Sequence, residues 1–122
     1  MALAQNIMRG GTPAFQARAF NGNIATALTA AGTVITDALD LLADTNVIGT
    51  CASGAGVQLP ACELGDSVEV YNGGANTCKV YPDSTSTQIN AVGNGNAISL
   101  ATNTACMFRR ITSTRWIAFL SA

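Results

Sequence analysis

Few residues in this chain can do chemistry, and the most versatile of them is missing. No histidine occurs among the 122 residues. That removes the commonest general base and the usual Ser-His and Cys-His nucleophile arrangements. The carboxylates are Asp37, Asp40, Asp44, Glu63, Asp66, Glu69 and Asp83. A pair of them could do acid–base work, but nearly all stand beside turn residues or at solvated edges. Asp37, Asp40 and Asp44 would share a flank in a helix, yet their spacing lacks the ordered loop of a calcium hand. Cys51, Cys62, Cys78 and Cys106 contain no Cys-x-x-Cys pair and have no histidine to join, which argues against structural zinc. They allow three disulfide pairings. The opening "MALAQNIMRGG" does not read as a signal peptide, so synthesis in a reducing cytosol with free buried thiols is the favoured expectation, against disulfides.

"SGAG" at 53–56 and "GNGN" at 93–96 superficially suggest phosphate-binding loops. Neither opens a helix or leads into Gly-Lys-Ser/Thr, so both read as turns. Arg109, Arg110 and Arg115 form the sole basic concentration. A pI near 5.0 and a single lysine argue against a surface that tracks nucleic-acid phosphates. Pairing with acidic groups of a neighbouring subunit is the expected use of these arginines. No catalysis, cofactor or metal is expected.

The elements that would position these groups are β-rich and poor in charge. Charged residues make up 11% of the chain, against about 25% in ordinary soluble domains, and hydrophobic residues 48%. Thr, Asn, Ser and Gly solvate a surface but repel neighbouring copies weakly. Other protein is therefore expected to cover much of this surface; a stable β domain with a neutral exterior is the alternative. The segment "TALTAAGTVITDALDLLA" carries Asp37 and Asp40 and fails as a membrane span.

Residues 1–32 read as an extended arm that orders against something else. Ile7, Met8, Phe15 and Phe20 are too many large apolar groups for a solvated tail. Residues 33–122 read as the folded domain. In "TVITDALDLLADTNVIGTCA", Ile35, Leu39 and Leu42 have helical spacing, while the β-branched ends suit two strands, Thr33–Thr36 and Asn46–Cys51. From Val57 onward a turn signal every eight to eleven residues predicts an antiparallel sandwich or barrel of short strands. One predicted hairpin sets Val70 against Cys78, Val68 against Val80 and Glu69 against Lys79. A second sets Val92 against Ala97, Ala91 against Ile98 and Ile89 against Leu100 around the "GNG" turn. The final pair, "CMFRRI" and "RWIAFL", is apolar on both faces: Trp116, Ala118 and Leu120 on one, Ile117 and Phe119 on the other. A half-exposed antiparallel strand should alternate. Either an internal segment or a neighbouring subunit must cover the second face, and the subunit is favoured.

Over residues 33–122, the runs "GVQLP", "GDSVEVYNGGANTCKVYP" and "QINAVG" with the closing aromatic strand resemble a β-rich module of tailed-phage virion proteins. The pattern is shared by head decoration (cement) proteins and fibre-type proteins. The resemblance implies a virion structural protein on the capsid surface, assembled in the host cytoplasm and often a homotrimer. Its expected partners are further copies of itself and the major capsid protein, with no nucleic acid and no membrane. Under this reading the arm contacts the capsid through Ile7, Met8, Arg9, Phe15, Arg18 and Phe20, and the subunit interface takes Arg109, Arg110, Arg115, Ile117 and Phe119. A fibre or receptor-binding module and a stand-alone glycan-binding domain, stacking sugars on Tyr71, Tyr81 or Trp116, are the alternatives.

Overall fold

The computed structural model describes residues 22–120. The six expected capsid contacts, Ile7 to Phe20, lie outside the described residues. Those residues are all-β, with no helix among them. In chain order the strands are β1 (Ile24–Thr29), β2 (Leu39–Asp40), β3 (Thr45–Thr50), β4 (Gly56–Gln58), β5 (Ser67–Asn72), β6 (Cys78–Tyr81), β7 (Gln88–Ile89), β8 (Ile98–Leu100), β9 (Thr104–Thr112) and β10 (Arg115–Leu120). They form a large sheet ordered β1-β3-β5-β9-β10-β7 and a small one ordered β2-β4-β6-β8.

The first six strands alternate between the sheets and stack in parallel, so β1–β2, β3–β4 and β5–β6 make three rungs of a solenoid-like pile. Thr45 pairs with Ile24 on one side and Glu69 on the other, and Val57 sits between Leu39 and Val80. Among the strands, antiparallel pairing is confined to β9 with β5 and β10, and to β8 with β6, with one isolated antiparallel bridge between Ala31 and Gly56. The expected antiparallel sandwich or barrel is thus replaced by mixed sheets. Parallel neighbours cannot be joined by a tight turn; here the chain returns through the opposite sheet.

The two early hairpins do not form. Val70 pairs with Asn46 and Cys106, and Cys78 pairs with Leu100. Val80 lies between Val57 and Ile98, and Ile89 beside Trp116. The inward faces were nonetheless legible: Val68, Val70, Cys78, Val80, Ile89 and Leu100 are all buried. What looked like a hairpin loop at Asn72–Asn76 is a corner between sheets. The buried Asn72 amide holds it, donating through Nδ2 to the carbonyls of Asn76 and Leu100 at 2.9 Å each and accepting the Gly74 amide at 3.0 Å. Asn76 in turn donates to the Cys51 carbonyl of the rung below at 2.9 Å, tying one corner to the next.

Of the ambiguous segment, the second strand exists as β3, whereas residues 33–36 form a bend and turn and no helix forms. Residues 24–29, placed by sequence in the arm, are the edge strand β1. Its pairing with β3 slips at two points around Ala27, whose φ of 56° is left-handed, the mark of a bulge.

Between the sheets lies one core. Ile48, Val68, Val70, Cys106, Phe108 and Trp116 come from the large sheet, and Val57, Cys78, Val80 and Leu100 from the small. Rungs approach closely at Gly56, where an added Cβ would stand 2.8 Å from the Lys79 carbonyl oxygen and 2.9 Å from the Tyr81 ring. Gly56→Ala should therefore part β4 from β6 and cost about 1–3 kcal/mol, the range for overpacking a tight interior. Urea unfolding should show a lowered midpoint at unchanged slope; an unaltered midpoint would show that the rungs can spread freely.

Candidate functional site

Strand alternation sends every second side chain of the large sheet away from the core. On that outer face Ile24, Thr45, Glu69, Met107 and Phe119 line up across β1, β3, β5, β9 and β10. Val47, Tyr71 and Ala105 form the next row, and Ser67, Arg109 and Ile117 the row on the other side. Phe119 is 53% exposed and Tyr71 37%, while Val47, Met107 and Ile117 are half-buried. Thr45 donates its hydroxyl to Glu69 Oε1 at 2.8 Å. A shallow hollow of about 340 Å³ lies here, with Thr45, Glu69, Ala105, Met107, Phe119 and Leu120 on its walls. The two-faced strand read from the sequence is thus half settled: Trp116 is fully buried and Phe119 is not.

The arginines divide. Arg109 and Arg115 are exposed. Arg110 turns inward and forms the sole ion pair among the described residues, Nη1 to Asp83 Oδ2 at 2.8 Å. It also donates to the carbonyls of Thr112 and Ser113 and stacks 5.9 Å from the centre of the Trp116 ring. This residue serves the chain's own fold, where the sequence suggested pairing between subunits. Asp83 is the exception among the carboxylates: the other six are exposed, whereas its Oδ1 accepts both Trp116 Nε1 at 3.0 Å and Thr87 Oγ1 at 2.7 Å. Burial pushes the Asp83 carboxyl up, but the hydrogen bonds from Trp116 and Thr87 and the charge of Arg110 outweigh it and hold the group below its ordinary value. The cluster ties the 82–87 loop to the β9–β10 hairpin.

No protein-family model, curated protein or solved structure matches this chain.

The remaining chemistry is silent. Among the described residues no group of His, Cys, Asp and Glu could hold a metal, and all four cysteines are free. Burial and the neighbouring Cys51 raise the Cys78 thiol to about 12, and burial raises Cys106 to about 11. Trp116 and Tyr81 are buried, and Tyr81 donates its hydroxyl to the Thr33 carbonyl at 3.1 Å. Only Tyr71 of the three aromatics offered as sugar platforms presents an open face. Sequence reasoning missed the Asp83 cluster because its members lie up to 33 residues apart; the one available signal was an aspartate directly after a proline in a chain with few charges.

Two outcomes are expected. Asp83→Asn should destabilise the fold by about 3 kcal/mol, since it leaves Arg110 without its counter-charge. Because the folded carboxyl titrates below its ordinary 3.8, its contribution is whole above that value and fades as the pH falls towards the lowered one. Chemical denaturation from pH 6 to pH 2.5 should show that decline in the native chain and a flatter profile in the variant; parallel profiles would remove Asp83 from the account. In native protein, iodoacetamide should label the half-buried Cys62 first and leave Cys51, Cys78 and Cys106 intact until unfolding, as read by peptide mass spectrometry. Equal labelling of all four would contradict the packing.

Proposed function

We propose that this chain is a structural component of a virus particle, a capsid decoration (cement) protein that works by self-association and attachment to a shell. The carrying observation is the outer face of the large sheet, where Met107, Ile117 and Phe119 form an apolar strip beside the exposed charges Glu69 and Arg109. A strip of this kind on a sheet face fits a protein surface that another protein covers. The low charge content, the carboxylates scattered over solvated turns and the high thiol pKa values agree with a molecule that binds and does not catalyse. Attachment would stabilise the particle by mass action, because the assembled shell alone offers the site. The resemblance to phage virion modules supplies the shell as the partner and the first residues as the attaching segment.

A fibre or receptor-binding module is the second reading, favoured by the stacked parallel rungs, since piled rungs are how elongated β proteins gain length. Copy number separates the two. Quantitative mass spectrometry of purified particles should find on the order of hundreds of copies per particle, as a repeating closed shell demands. A count of a few to tens would move the chain to a tail, and its absence from particles would end both readings.

A further inference from the structure

Glu69 and Arg109 occupy one side of the large sheet, and their positions there are not arbitrary. They stand on adjacent strands, β5 and β9, two residues apart along the strand, because Glu69 pairs with Met107 and Ser67 with Arg109. Both are exposed, and among the described residues no carboxylate pairs with Arg109. Met107 and Phe119 are direct partners that continue the row of Glu69. Strands lie about 4.8 Å apart and residues rise about 3.3 Å each, so the offset from Glu69 to Arg109 is about 5 Å across the sheet and about 7 Å along it.

From this placement we infer that a second copy of the chain docks on this face across a twofold axis, with Arg109 of each copy meeting Glu69 of the other. A twofold that exchanges those two positions must lie in the plane of the face and bisect the line between them. On that spacing it runs within about 2 Å of both Met107 and Phe119, so each of these apolar side chains meets its own symmetry mate. The same operation carries Ile117 to the neighbourhood of Tyr71 on the partner. One axis thus brings together two opposite-charge pairs and an apolar centre, the arrangement of an isologous interface. Strands of the two sheets would cross steeply, in the orthogonal class of sheet packing. The proposal deepens the self-association reading above and rests on it, but replaces the threefold implied by the resemblance with a twofold.

Sedimentation velocity on the full-length protein at micromolar concentration tests it. The native chain should run at twice the mass of one chain, and Phe119→Ser, an exposed position, should shift it towards one. Glu69→Arg and Arg109→Glu should each raise the dimer dissociation constant by about tenfold or more, with the effect weakening at high salt. The double exchange should restore it to within a few-fold of the native value, since each reversed charge again meets its opposite. Circular dichroism of every variant separates lost association from lost folding. A native monomer, as would follow if residues 1–21 of the same chain covered the face, overturns the proposal. So does a trimer, or a double exchange no better than the single ones. Any of these leaves the particle assignment open to the copy-number count, whereas a charge-swappable dimer absent from particles would uphold the interface and end the assignment.

Discussion

Parallel pairing sets the plan of this molecule. Two parallel strands that are neighbours in a sheet must be joined by a crossover, which in most proteins is a helix. This chain contains no sequence suited to one between residues 45 and 81, so it crosses through a second sheet. Every strand of the rungs then packs against residues about twenty or more positions away, and one core forms between two short sheets. The corners carry the load of redirecting the backbone, which is why a polar side chain as costly to bury as Asn72 sits fully inside with all its hydrogen bonds made.

That constraint explains what could be read from the residues and what could not. Alternation in "SVEVYN" and "CKVY" marked the buried side correctly, because a period of two belongs to any strand whatever its partner. It carries no information about which strand lies alongside. Asn-Gly-Gly between two alternating runs is the usual sign of a hairpin, and only the buried Asn72 amide turns it into a corner. A different comparison would have shown the rungs: "LDLLAD" from Leu39, "VQLPAC" from Val57 and "VYPDST" from Val80 begin at three stacked positions. The β9–β10 pair was legible as a hairpin because its two-residue turn leaves no alternative. Its outer residues Ile117 and Phe119 were legible as a second apolar face, since alternation puts them opposite the buried Trp116. The Asp83 cluster was not, since nothing local joins residue 83 to residues 110 and 116.

Low charge has two sides in this structure. The single ion pair among the described residues is half-buried and shared with Trp116 and Thr87. Elsewhere hydroxyls and amides satisfy the turns, as at Ser84, Thr87, Asn96 and Thr104. The thiols behave as small apolar side chains: Cys51, Cys78 and Cys106 fill the core, and the raised pKa values of Cys78 and Cys106 keep those two uncharged at neutral pH.

A pile of rungs has an inherent hazard, since its last strand is a template for the first strand of another molecule and growth need never stop. The kink at Ala27 bears on that. With the spacing of amide and carbonyl groups broken along β1, an incoming strand finds no regular ladder to join. Among the described residues, β1 is therefore a poor template for edge-to-edge growth.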